Sequence, residues 1–262
     1  MSVETEIQQI NEQLQPYALE YAKVIPTAVE PEHIWSSKFA GKPYWPMGET
    51  YPCNSSGAPL VLLAQINFEE VPALEGYPTT GILQFFVEDD DELYGMDFDA
   101  SVDETLSKPD GYRVVFHKEV IKDETMLEQC LPSAAVDSDF PIANEYSLQF
   151  ELDKEQPSPT DYRFEKICGD VFEMDEAVGE YLYDNFESMG SKVGGYAHFT
   201  QEDPRGYEKP DEHWILLFQL DSENDEGVEI MWGDCGVANF FIEPEALKKG
   251  DFSRVWYNWD CS

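Results

Sequence analysis

Leu62-Leu63-Ala64-Gln65-Ile66-Asn67 is matched later in the chain by Leu216-Leu217-Phe218-Gln219-Leu220-Asp221. A second match follows each block, Gly81-Ile82-Leu83-Gln84-Phe85-Phe86-Val87-Glu88 against Gly236-Val237-Ala238-Asn239-Phe240-Phe241-Ile242-Glu243, at intervals of 19 and 20 residues. Upstream, Lys38-Phe39-Ala40-Gly41 pairs with Lys192-Val193-Gly194-Gly195, in both cases 24 residues before the Leu-Leu block. Shared order and spacing predict an internal duplication, with repeat units over about 34–120 and 190–262.

Both Leu-Leu blocks carry the period of two that marks a strand. On that period Leu62, Ala64 and Ile66 share one face, while Leu63, Gln65 and Asn67 share the other. The second copy repeats the parity, so each unit is expected to hold an apolar face and an amide-bearing face. Gln84 and Asn239 occupy matched positions in the following strand.

Glu243-Pro244-Glu245-Ala246-Leu247-Lys248-Lys249-Gly250 then reads as a short helix, with proline and acids at its start, lysines at its end and a glycine stop. Its counterpart in the first unit is the acidic run Glu88 to Glu92. A last strand is expected around Arg113 to Phe116 and around Arg254 to Tyr257. This succession implies a mainly β fold of α+β character, with roll-like antiparallel or mixed sheets and peripheral helices.

Outside the repeats, Val3, Ile7, Ile10, Leu14, Tyr17, Tyr21 and Val24 form one stripe at helical spacing. They predict an N-terminal helix over 3–25, capped by Ser2 and kinked or broken at Pro16. The inserted segment 121–189 reads as a strand at Tyr146 to Leu152, a turn at Gln156 to Pro159, and a helix from about Phe172 to Met189 that Gly190 stops.

Composition narrows the partners. Asp and Glu number 54 against 16 Lys and Arg, a net charge of −38. Nucleic acid and anionic membranes require clustered basic residues, and the chain has no such cluster. With 42% hydrophobic and 14% aromatic residues it carries ample material for a core. No stretch approaches the roughly 18 consecutive apolar residues of a membrane span. Five cysteines, Cys53, Cys130, Cys168, Cys235 and Cys261, lie far apart without a C-x-x-C pair, as expected of a reduced, cytoplasmic protein.

No motif carries chemistry. The loop Asp221 to Gly227 resembles a calcium loop, but its glycine falls one place late and Trp232 stands where the closing glutamate belongs. His33, His117, His198 and His213 lack the spacing that sets two ligands on one helical face. Cys235, in the turn Gly233-Asp234-Cys235-Gly236, has an acid beside it that disfavours thiolate. No catalytic residue, metal or cofactor is therefore expected. The better candidates are aromatic and amide side chains. Trp45 and Trp232 sit in proline- or glycine-punctuated loops, and Gln65 and Gln219 would face a common region if the two units oppose one another. A ligand cleft between the units would be lined by Trp45, Gln65, His198, Gln219, Trp232 and Asp234.

Several further blocks are shared with a known group: Gly41-Lys42-Pro43-Tyr44-Trp45-Pro46, Gly76-Tyr77-Pro78, Gly194-Gly195-Tyr196-Ala197-His198-Phe199-Thr200-Gln201-Glu202-Asp203-Pro204-Arg205 and Tyr257-Asn258-Trp259-Asp260-Cys261. Together with the repeat blocks they make the chain resemble the YwqG-like family of uncharacterised bacterial proteins along nearly its whole length, as a single domain over 1–262. The resemblance implies a mainly β, roll-like fold with peripheral helices and a bacterial cytosolic home. It transfers no catalytic or binding residue. The residues themselves lead to the expectation of a non-enzymatic binding protein whose acidic surface engages a basic protein partner, as an inhibitor or neutralising factor. The alternative is a small-molecule binding protein or enzyme using the cleft between the units. The sequence does not specify an oligomeric state.

Overall fold

The N-terminal stripe divides at its proline. The computed structural model, which describes residues 2–89, 93–132 and 140–262, ends helix α1 (Val3–Leu14) in a single 3-10 turn at Gln15–Tyr17 and continues as strand β1 (Leu19–Thr27). The Ser2 hydroxyl accepts the Thr5 N–H at 3.3 Å, so the expected cap is present. The expected helix over 3–25 is thus correct only for its first half. Beyond Pro16 the β-branched run of Val24, Ile25 and Thr27 gains more from pairing on both sides than from a helix. Residues 22, 24 and 26 are buried in alternation there. Tyr17 and Tyr21 had fitted the helical stripe by coincidence of spacing.

The remaining strands are β2 (Lys38–Phe39), β3 (Val61–Asn67), β4 (Ile82–Val87), β5 (Tyr112–His117), β6 (Tyr146–Glu155), β7 (Lys192–Gly194), β8 (Ile215–Asp221), the hairpin β9 (Glu223–Asp225) and β10 (Val228–Ile230), β11 (Val237–Ile242) and β12 (Val255–Asp260). Ten of these twelve strands, β1 included, form one antiparallel sheet in the order β12-β11-β8-β7-β1-β6-β2-β3-β4-β5. β1 precedes the first repeat block in sequence yet pairs with β7, while β6 precedes β7 and pairs with β2. The two exchanged strands pair with each other over nine residues.

The sheet curls until its ends approach. The Tyr112 hydroxyl of β5 donates to the Val255 carbonyl of β12 at 2.7 Å. Phe85 of β4 stacks on Phe218 of β8 with ring centroids 4.7 Å apart, and Phe240 of β11 stacks on Tyr257 of β12 at 4.8 Å. The architecture is a nearly closed antiparallel barrel with aromatic rings filling its interior.

Strict alternation along β3 and β8 fails at one point in each. Leu62 opposes Phe86 while Ala64 opposes Phe85, and Leu216 opposes Phe241 while Phe218 opposes Phe240. Leu63 and Leu217 are therefore the extra residues of two bulges at matching places. Each bulge sends two consecutive residues inward, Leu63 with Ala64 and Leu217 with Phe218. Leu62 and Leu216 join clusters on the outer face instead.

The helices lie outside the barrel. α3 (Tyr162–Cys168) and α4 (Glu176–Asn185) pack with α1 through Ile10, Leu14, Phe164, Val178 and Leu182. The helix expected over 172–189 is shorter than its stripe: it starts after a 3-10 turn at Val171–Glu173 and ends before Phe186, leaving Met189 exposed. α5 (Pro244–Lys249) ends at Gly250 in the left-handed conformation, as its sequence predicts. In the acidic run proposed as its counterpart, Asp90, Asp91 and Glu92 lie outside the described residues. The first half carries a helix that the sequence reading lacked, α2 (Val102–Ser107), opened by a reciprocal Ser101–Glu104 capping box.

Two lysines are buried at corresponding strand positions, Lys38 in β2 and Lys192 in β7. Lys38 bonds Glu145 at 3.0 Å and Lys192 bonds Glu155 at 2.8 Å. Burial lowers both lysine pKa values and raises that of Glu155. Each carboxylate nests against a glycine of positive φ, Gly41 or Gly195, where an added Cβ would come within 2.2 Å of the Glu145 or Glu155 side chain. Gly195→Ala and Gly41→Ala should each destabilise the fold by about 2 kcal/mol or more, because the left-handed backbone and the displaced carboxylate both count. Urea denaturation measures this, and a loss of only a few tenths would show that the carboxylates move aside freely.

Candidate functional site

On the outer face of the first half, three side chains are locked by one another. The Gln65 amide donates to the carbonyls of Ile34 and Ser36 at 2.9 and 2.8 Å, and its oxygen accepts the Tyr44 N–H at 2.8 Å. The Gln84 amide donates to that same oxygen and to the Tyr44 carbonyl, leaving its own oxygen 2.9 Å from His117 Nε2. His117 therefore carries its proton on Nε2. Its Nδ1 lies 3.2 Å from the Glu49 carboxylate. Burial lowers the His117 pKa to about 4 and raises that of Glu49. At neutral pH an imidazole lone pair thus faces a carboxylate. With Nε2 bonded to Gln84 and Trp45 edge-on at 5.2 Å, this buried histidine is a structural element.

The second half repeats the start of the relay and not its end. Gln219 donates to the carbonyls of Ser188 and Gly190 and accepts the His198 N–H at 2.8 Å. Asn239 donates to the His198 carbonyl at 2.8 Å. By register Asp260 holds the place of His117, since it opposes Val237 as His117 opposes Ile82. Burial raises the Asp260 pKa and lowers that of His198. Asp260 accepts the Gln201 N–H at 2.8 Å.

Asp260 also lines a groove of about 820 Å³ at the seam between β5 and β12. One wall comes from the segment around Asp97, Phe98 and Asp99, the other from Glu202, Tyr207 and Glu208, and β12 runs along the floor. Five carboxylates line it, with no lysine or arginine. Phe98 and Tyr207 are 63% and 60% exposed. The nearby cations are committed elsewhere: Lys209 to Asp103 and Glu212, and the fully buried Arg205 to Asp161 and Asp203. Burial pushes the Asp161 pKa up, but Arg205 and Arg163 outweigh it and hold the group below its ordinary value.

Residues 37–261 match the family model for a domain of unknown function, DUF1963. The chain belongs to that family. No curated protein matches it. Among the described residues, no group of three or more His, Cys, Asp or Glu is placed to hold a metal ion, and no helix is long and apolar enough to cross a membrane.

The six residues expected to line a cleft between the units do not converge. Gln65 and Gln219 are fully buried on the outer face of the sheet, each spent on the loop that covers it. Trp45 packs in an outer cluster with Leu60, Leu62 and Phe86, its Nε1–H bonded to the Glu49 carbonyl at 3.1 Å. Trp232 lies inside the barrel, edge-on to Tyr94 at 5.3 Å. Asp234 is exposed, and its carbonyl accepts the N–H of Ser262. His198 adjoins Gln219 alone of this set. Aromatic packing occupies the space where facing lobes would have left a cleft.

The groove residues went unselected in the sequence because the two walls are about a hundred positions apart. A signal did exist in each wall: an aromatic residue set directly against acids, in Asp97-Phe98-Asp99 and in Tyr207-Glu208.

Glu49→Gln supplies an N–H donor to the His117 Nδ1 lone pair and should raise stability by about 1 kcal/mol at pH 8. A loss of similar size in thermal or urea unfolding would mean that His117 is an imidazolium. Because the folded pKa of about 4 lies below the ordinary 6.5, the histidine's contribution is complete above pH 6.5 and is lost as pH falls toward 4. The wild type should lose up to about 3 kcal/mol in that window that a His117→Gln variant does not lose.

Proposed function

We propose that the protein is a non-enzymatic binding protein whose seam groove receives a basic segment of a partner protein. The observation that carries this reading is the composition of the groove: five carboxylates and two exposed aromatic rings, without a basic side chain among the residues that line it. Carboxylates gathered in a concave site repel one another until a cation enters, and low-dielectric walls strengthen the attraction. Aromatic faces add affinity for guanidinium and ammonium groups. The overall charge of −38 extends the attraction outward and speeds encounter with a basic surface. The likeness to YwqG-like proteins and a cytosolic setting belong to the same reading. The five unpaired cysteines support a reducing compartment.

A capped octapeptide of alternating arginine and valine serves as the probe. The combined variant Asp97→Asn, Asp99→Asn, Glu202→Gln, Glu208→Gln should bind it about tenfold more weakly at low salt, at roughly 0.3–0.5 kcal/mol for each surface charge. The reference is a variant with the same charge change made elsewhere, at the exposed Glu4, Glu12, Glu20 and Glu151. Titration calorimetry that finds the two variants equally weakened would assign binding to net charge and remove the groove from the account.

A further inference from the structure

We propose that Asp260 anchors the basic segment by exchanging a proton for a cation. In the free protein its carboxyl group is protonated and hydrogen-bonded to Asn239. An entering guanidinium or ammonium group displaces that proton to solvent and pairs with the carboxylate left behind. This rests on the groove being the binding site and adds a pH linkage to it.

The register supplies the geometry. In the first half the diagonal between neighbouring strands brings Gln84, which opposes Val115, against His117, which opposes Ile82, and a hydrogen bond of 2.9 Å joins the two. The same diagonal in the second half runs from Asn239, which opposes Asn258, to Asp260, which opposes Val237. Asn239 is fully buried, and its amide nitrogen is spent on the His198 carbonyl. Its oxygen and Asp260 Oδ1 are both buried, and among the described residues neither has a hydrogen-bond partner. Asp260 Oδ2 already accepts the Gln201 N–H at 2.8 Å. Two acceptors on one diagonal thus lack a donor. An acid proton on Asp260 Oδ1 supplies it, as the Nε2 proton of His117 does for Gln84. An ionised Asp260 would instead leave two lone pairs confronting each other out of reach of water.

The surroundings favour the neutral acid. Burial raises the Asp260 pKa, and the Gln201 N–H and the nearby His198 only partly offset it. Burial also lowers the His198 pKa, with Asp221, Glu187 and the buried Lys192 as its other charged neighbours. On the groove side stand Tyr207, Glu202, Glu208, Asp97 and Asp99. No lysine or arginine lines the groove, so the cation that stabilises the Asp260 carboxylate has to come from the ligand. A cation paired with Asp260 lowers its proton affinity, and by reciprocity a proton on Asp260 weakens cation binding.

The test compares the full chain with its Asp260→Asn variant, whose amide donates to Asn239, accepts from Gln201 and so copies the neutral acid. An acid whose folded pKa is raised costs stability as pH rises from its ordinary 3.8 through the folded value. The melting temperature of the wild type should therefore fall relative to that of Asp260→Asn between pH 4.5 and pH 8. A constant difference would overturn the protonated state. Titration calorimetry with the same octapeptide reads the linkage. At pH 5, in two buffers of different ionisation enthalpy, the wild type should release up to about one proton more on binding than Asp260→Asn. Between pH 5 and pH 8 its affinity should gain about threefold or more over that of the variant. Equal proton release and parallel affinities would overturn the exchange. The His198→Gln variant should behave as the wild type does; loss of the linkage there would assign the proton to the histidine and overturn the proposal. A peptide that binds the wild type at neither pH would overturn the groove reading, and the exchange with it, whatever the melting comparison shows.

Discussion

The pairing of β1 with β6 is the interaction on which the rest of the structure depends. Each of these strands leaves the half it precedes in sequence and completes the sheet of the other half. Among the described residues, their nine-residue antiparallel contact joins the two halves into one ladder that runs from β12 to β5. Two separate lobes would each expose an unpaired inner edge, a costly arrangement for backbone groups that water cannot reach. Because the halves interlock, their apolar faces close on one another, and Phe39, Phe85, Phe218 and Phe240 fill the middle.

The outer faces of the two halves differ in a way that small side-chain changes account for. Gln84 is long enough to bridge Gln65 and His117, and Trp45 closes over the result. Asn239 at the matching register is one methylene shorter, and the position of His117 is taken by an acid. Asp260 turns to the Gln201 N–H and lies beside the groove. The same scaffold positions thus yield a sealed polar relay in one half and an acid on the groove floor in the other.

Much of the sheet was legible in the sequence. The matched blocks picked out β2, β3 and β4 and also β7, β8 and β11, and the Pro244 to Gly250 pattern gave α5 with its stop. Periodicity misled at Tyr17 to Val24, where spacing suited a helix and only the placement of β1 between β6 and β7 decides for a strand. It misled again at Leu63 and Leu217, since a bulge costs no change in composition. Trp232 was expected to line a cleft and lies in the interior, because loop punctuation says nothing of which side of a sheet a ring enters. The groove was illegible for a similar reason: it exists only once the barrel curls far enough to bring β5, β12 and the segment after residue 199 together.

Glycine chemistry ties the open seam back to the chain. A Cβ at Gly95 would lie 1.9 Å from the Gly111 carbonyl oxygen, and one at Gly111 would lie 2.3 Å from the Gly95 oxygen. Only two glycines allow the connection after β4 to cross this closely over the start of β5, and Gly95 adopts the positive φ of 78° that suits its turn. That crossing aims the chain from Met96 to Ser101 along the seam. The Leu93 and Tyr94 carbonyls then receive the Trp259 Nε1–H and the Tyr257 hydroxyl, which anchors the wall to β12 through side chains. The acids at Asp97 and Asp99 consequently stand at the rim of the groove. A barrel that closed fully would have needed β5 and β12 in register. Here the strands meet through the Tyr112 hydroxyl and the packing of its ring on Tyr257, and the gap beside that contact is lined by five carboxylates.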